Sequence, residues 1–365
     1  MQFAPTEEQS LIDDTVERLL ASESGANIWH RLAELGLLGA AVPEAFGGAD
    51  GGPPEQMVLA RRLGRHLVSS PYLASAVVGS HIMQRAASAD GPGAAMAASA
   101  LSAMSIGEHR FSLAVFEQAT RYDIDALATS ATRATGDDNG VVLNGSKHYV
   151  LDGGDANTIV VAAGSGGNMG LYAVNPSADG VEVLPYSSVD ETPLATVHLN
   201  NVHVPRSHCL VATDHGRIVL DEALALGAFG ISADILGACE AALEKTVEYL
   251  KVREQFGSRL STFQALQHRA SDLHAEIEML RSLVMGAAQT LAEGLNRQSM
   301  SDALAAAIMA AEVGDHVGRE AIQMHGAVGM THDLGVGRYL MRANTLTRLF
   351  GDADDCRLRY LALTD

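Results

Sequence analysis

The sequence predicts an α+β chain built in three consecutive parts: an all-α N-terminal part, a middle antiparallel β part and a C-terminal four-helix bundle. Three observations predict it. Apolar residues recur at helical spacing from residue 6 to about 106. Short β-branched runs, separated by Gly, Asn, Asp and Pro at roughly ten-residue intervals, then follow between 111 and 204. From about residue 216 the helical period returns and holds to the end.

In the first part, Thr6 is placed to cap a helix over "TEEQSLIDDTVERLL" (6–20), with Glu7 and Glu8 at its positive end. Leu11, Ile12, Val16, Leu19 and Leu20 fall on one face. A second helix, "ANIWHRLAELGLL", stops near Gly36, and "VPEAFGGADGGPPEQ" is a Gly/Pro loop. Residues 54–68 and 71–106 read as Ala-rich helices. The middle part offers strands at 111–117, 140–153, 158–164, 169–176, 180–186 and 195–204. "LNGSKHYV" predicts a hairpin or bulge around Asn144 and Gly145. "GSGGNMG" (164–170) lacks the following helix of a phosphate-cradling GxGxxG and predicts a hairpin loop. In the third part, 217–252 forms one long helix or two. A second long helix begins at "FQALQ", and a third ends at Gly326. The tail adds a fourth, broken at "FGDAD". The expected domains are 1–108, 109–212 and 213–365.

The chain has 365 residues, too many for one compact core, and 47 % of them are hydrophobic, enough to fill two or three. A formal charge of −19 excludes the basic footprint of a nucleic-acid binder. A polyanionic ligand would therefore need local cations. Cys209, Cys239 and Cys356 form no CxxC pair and fit a reducing compartment. The start, "MQFAPTEEQSLIDD", is acidic rather than basic-then-apolar, and no membrane-length apolar run occurs. The expected location is cytoplasmic. His198, His203 and His208 lack a three-ligand spacing, so no metal is expected.

Four segments carry a resemblance in one register: "VPEAFGG" (42–48), "VHVPRSHCL" (202–210), "EYLKVREQFGSRLSTFQALQHRASDL" (248–273) and "AIQMHGAVGMTHDLGVGRYLMRA" (321–343). Together they resemble the acyl-CoA dehydrogenase family over nearly the whole chain. The resemblance implies FAD, α,β-dehydrogenation of an acyl-CoA thioester, electron transfer to an electron-transferring flavoprotein, and a homo- or heterotetramer. Arg253, Gln255 and Phe256 match the family's R-x-x-F-G turn, which reaches the FAD of a neighbouring subunit. Arg253 there gives a forked contact to pyrophosphate. Phe263 and Gln264 match the next cofactor-contacting pair, Phe263 standing where His is often found. Gln323, His325 and Gly326 match the Q-x-x-G-G segment that clamps the adenosine half, with Ala327 at its second glycine.

The middle part departs from the family. "VFEQATRYD" (115–123) keeps only Glu117 of the T-E-P-x-x-G-S-D loop that cups the flavin. "KHYVLDG" keeps Lys147 and Tyr149 but has Leu151 at a hydroxyl position, where it cannot donate a hydrogen bond. The chemistry needs a carboxylate base beside the thioester. Gly351 occupies the family's Glu position in the last corner, and Gly227 occupies the alternative position on the first long bundle helix. Asp352 is the nearest carboxylate, and Asp234 is a second candidate. The pattern resembles the base-deficient, FAD-clamping subunit of α2β2 members that degrade steroid side chains. The alternatives are a self-sufficient dehydrogenase with Asp352 as base, and a non-catalytic CoA-binding or structural protein.

Overall fold

The computed structural model describes residues 5–22, 27–135, 140–165, 168–212, 215–331 and 335–364. In chain order the helices are α1 (Glu7–Ser22), α2 (Ile28–Glu34), α3 (Pro53–Arg65), α4 (Ser80–Ala87) and α5 (Ala94–Ser105). They continue with α6 (Gly216–Val252), α7 (Gln264–Ala292), α8 (Arg297–His325), α9 (Gly337–Leu346) and α10 (Ala353–Thr364). Between α5 and α6 lie β1 (Phe111–Ala114), β2 (Ser130–Arg133), β3 (Val141–Leu151) and β4 (Thr158–Ser165). The remaining strands there are β5 (Asn168–Val174), β6 (Val181–Ser187), β7 (Pro193–Val204) and β8 (Cys209–Val211). No helix among the described residues is long and apolar enough to cross a membrane.

The contacts divide the chain into two compact units. One holds Ala26–Gly52 and Ser69–Gly227; the other holds Met1–Gly25, Pro53–Val68 and Ala228–Asp365.

The first unit is built on a sheet of order β6-β7-β3-β2-β4-β5-β8, with β1 beside β4. Its pairs are antiparallel except β1 with β4 and a single β2–β4 bridge, which are parallel. That is one correction to the expected purely antiparallel sheet. Two short strands also escaped the sequence pattern: in β2 only Thr132 is β-branched, and β8 has three residues. The runs expected at 140–153 and 195–204 pair as β3 and β7. β3 passes straight through Asn144–Gly145, with a register shift between Leu143 and Gly145. The site is therefore a bulge and not a hairpin. The hairpin expected at 164–170 joins antiparallel β4 and β5; residues 166 and 167 lie outside the described residues. One face of the sheet buries Leu143, Val150, Ile159, Val161, Val197 and Leu199 in a common core.

The helix expected over 71–106 is divided. It starts as a π-helix, Tyr72–Gly79, continues as α4, breaks at residues 88–93 and resumes as α5. The π-turns pack against β1. Ser75 Oγ accepts from the Phe111 N–H and donates to its carbonyl, both at 2.9 Å.

The second unit is the helical bundle, in which α8 packs against α7, α9 and α10, and α3 against α1 and α7. From Ala228 to Ala242 every side chain of α6 is buried, whichever way it points. A helix buried on every side is a core helix of its unit. It approaches α3 through two glycines. A Cβ on Gly64 would collide with the Asp234 carbonyl, and one on Gly237 with the Arg61 carbonyl. Charged pairs tie α6 to its neighbours, Arg61 joining it to α3 and Arg342 joining it to α9. Arg61 Nε donates to Glu240, and Arg342 forks onto both oxygens of Asp234 at 3.0 and 2.7 Å.

Candidate functional site

The C-terminal end of α6 shows how local sequence builds the first half of the site. The last turn closes where the Arg253 N–H donates to the Tyr249 carbonyl at 2.9 Å. The chain then reverses in a small hairpin of β9 (Glu254–Gln255) and β10 (Ser258–Arg259). The two turn residues, Phe256 and Gly257, have φ of 58° and 75°. Positive φ at both is the shape that matches strand twist in a two-residue hairpin. Arg253 and Gln264 are exposed at the two ends of this segment. Phe256 stands 91 % exposed at its tip, edge-on to the exposed Phe263 with ring centroids 6.3 Å apart. Gln255 turns its amide onto the Glu254 carbonyl.

The second half is the end of α8. Gln323 is exposed in its last turn, and Gly326 ends the helix with φ 67° and ψ −149°. That conformation belongs essentially to glycine, and the space where a Cβ would stand is open. His325 is not presented with them. Its ring is buried, its Nδ1 donates to the Ala321 carbonyl at 2.7 Å, and it stacks on Tyr249 at 4.4 Å. Tyr249 also donates its hydroxyl to the His325 carbonyl at 3.4 Å. Tyr249 therefore ties the two motif segments to one end of the bundle. Sequence reading passed over it; its place in the last helical turn, four residues before Arg253, was the available signal.

The candidate bases are differently placed. Gly351 is buried with φ 114°. Asp352 caps α10: its Oδ1 accepts from the Asp354 and Asp355 N–H groups at 3.1 and 2.9 Å. Asp234 is held by the Arg342 fork. Gly227 is buried within α6.

In the sheet unit, the two charged residues kept from the flavin-edge motifs meet each other. Lys147 is fully buried and donates to Glu117 at 2.7 Å and to the Val115 carbonyl at 2.8 Å. Glu117 also accepts from the backbone N–H groups of Ala128 and Thr129. Burial pushes the Lys147 ammonium down to about 8, against the hydrogen bond and charge of Glu117. Burial alone would raise Glu117, but hydrogen bonds from Lys147 and Thr129 outweigh it and hold the carboxyl below its ordinary range. This pair is an internal staple of the sheet. Leu151 is buried, while Tyr149 is exposed with φ 57°.

The residues present fit one half of an FAD. The end of the bundle offers a guanidinium, two exposed amides, an exposed aromatic pair and an open glycine, the donor set for a pyrophosphate and an adenosine. The sheet motifs offer no hydroxyl at position 151, and their carboxylate at 117 is already satisfied.

Three family models match in succession: the N-terminal domain of acyl-CoA dehydrogenase over residues 6–91, its middle domain over 112–202 and its C-terminal domain over 214–358. The chain is similar to the probable acyl-CoA dehydrogenase YngJ of Bacillus subtilis, at 26 % identity over 95 % of each chain. It is similar to acyl-CoA dehydrogenase FadE27 of Mycobacterium tuberculosis, at 27 % identity over 89 % of this chain and 84 % of that one. It also superposes on a solved variant of the Tcur3481-Tcur3483 steroid ACAD, with a TM-score of 0.85, 27 % identity and 98 % of each chain covered.

Proposed function

The chain belongs to the acyl-CoA dehydrogenase family of FAD-dependent oxidoreductases, and from that premise we propose that it is the FAD-clamping, base-deficient subunit of an α2β2 assembly. One observation carries the proposal: the clamp residues stand exposed at one end of the bundle, while the corner that should hold the base has a buried glycine at φ 114°. Bound FAD supplies the hydride acceptor for removing the α,β hydrogens of an acyl-CoA thioester. Arg253 would hold the pyrophosphate by charge-assisted hydrogen bonds. Gln264 and Gln323 would orient the nucleotide by their amides, Phe256 and Phe263 would offer it aromatic surface, and Gly326 would let it approach the backbone. His325 acts behind them, fixing the end of α8 against Tyr249. A partner subunit of the same family supplies the carboxylate that takes the α-proton and the loop that cups the flavin ring. Electrons leave to an electron-transferring flavoprotein.

The likeness to a steroid ACAD named for two chains supports a steroid substrate whose side chain is the acyl-CoA thioester. The three free cysteines are in keeping with a cytoplasmic setting. We retain 1–108, 109–212 and 213–365 as the working domains. The competing reading, a self-sufficient dehydrogenase with Asp352 as base, requires a carboxylate already occupied in capping α10.

The test is visible flavin absorbance of the purified chain, alone and after co-expression with a family member that has the Glu corner intact. Little flavin alone and full flavin with acyl-CoA oxidation after co-expression is the expected result. Full flavin and turnover by the chain alone would overturn the proposal.

A further inference from the structure

We infer that Asp355 and Arg359 have taken over the volume of the missing catalytic side chain, so that the corner before α10 is a closed structural joint. The inference rests on the reading of Gly351 as the vacated base position. A Cβ on Gly351 would collide with the Asp355 Oδ2 and would lie 3.5 Å from Arg359 Nη1. Both side chains are largely withdrawn from solvent, Asp355 at 17 % and Arg359 at 19 % exposure. Arg359 Nη1 lies 3.6 Å from Asp355 Oδ2 and donates to the Phe350 carbonyl at 3.1 Å. The guanidinium thus binds the chain on one side of Gly351 and the carboxylate that fills the gap above it. The start of α10 is pinned as well, because Asp352 caps it and its carbonyl accepts from the Cys356 N–H at 2.8 Å.

A carboxylate therefore does sit at the corner, brought from one helical turn later. Its role is to fill space and to meet Arg359. A side chain at 351 meets backbone strain at φ 114° and has to displace the carboxylate end of Asp355.

The test is a double-mutant cycle on the full-length chain, read by thermal melting, with Gly351→Ala made in the native and the Asp355→Ala backgrounds. The expected result is a fall in Tm of several degrees in the native background and a smaller fall once Asp355 is gone. Equal falls in both backgrounds would overturn the inference, since the carboxylate would then not occupy the space. Where Asp355→Ala fails to fold, Asp355→Asn tests the second arm, the acyl-CoA oxidation rate of the FAD-loaded complex. That rate is expected to keep its order of magnitude. A fall of about a hundredfold or more, the loss of a general base, would make Asp355 catalytic and overturn the joint. Flavin retention by the chain alone, which would defeat the subunit reading, is measured separately and leaves the melting cycle unaffected.

Discussion

Arg253 stands exposed in a chain of formal charge −19, with no ion-pair partner among the described residues. A cation left unneutralised in an acidic protein is available to an anion. Arg253→Ala is expected to remove about 1.5–3 kcal/mol of charge-assisted hydrogen bonding, lowering FAD affinity about tenfold to a hundredfold. Flavin content after dilution and gel filtration of the assembled protein measures it, and an unchanged content would refute the contact. Lys147 shows the opposite case, a cation wholly consumed inside the fold. Lys147→Met leaves Glu117 buried without its cation and is expected to cost about 3–5 kcal/mol in urea unfolding. The pH dependence follows from the lowered Lys147 pKa. Between about 8 and the ordinary value of 10.5, the unfolded chain holds this proton and the folded chain has released it. Unfolding then takes up protons, so stability from this group rises with pH across that window and is flat below it. The stability gap between the native chain and Lys147→Met is expected to widen over the window; a constant gap would mean the two states share one pKa.

Among the elements, the α3–α6 crossing is the most tightly determined, because backbone meets backbone at Gly64 and Gly237. Gly237→Ala raises helix propensity by about 1 kcal/mol, so an isolated helix would gain. In the bundle the added methyl meets the Arg61 carbonyl, which has no flexible end to move aside. Overpacking of this kind costs about 1–3 kcal/mol, and the crossing also carries the Arg61–Glu240 pair, so the upper end is expected. A melting temperature at or above that of the native chain would contradict it. Neither glycine is marked by the sequence: Gly237 sits in "DILGACEA" as an ordinary weak point in a helical period. The same blindness hid the π-turns at Tyr72–Gly79, which are bonded to β1 through Ser75 and Phe111.

For the whole molecule, the relevant surface is what the bundle leaves uncovered. Val252, Phe256, Met279, Leu283 and Met330 are all exposed in the helical unit. Apolar side chains left in water are the surface expected to be covered when copies or partners assemble. Size-exclusion with light scattering is expected to find a tetramer with the partner present and a dimer without it; a stable monomer at micromolar concentration would reject the assembly.

The order helix, sheet, bundle was legible from the sequence because each class of element has its own hydrophobic period, and period is a local property. The family was legible because Arg253, Phe256, Gln323 and Gly326 keep their spacing. Sequence also determined that positions 351 and 227 carry no carboxylate. Only the tertiary structure decided how the remaining carboxylates are used. Asp234 meets Arg342 from 108 residues away, and Glu117 meets Lys147 from 30. Whether a charge is free for chemistry depends on which distant group folding brings against it, and no local pattern encodes that pairing.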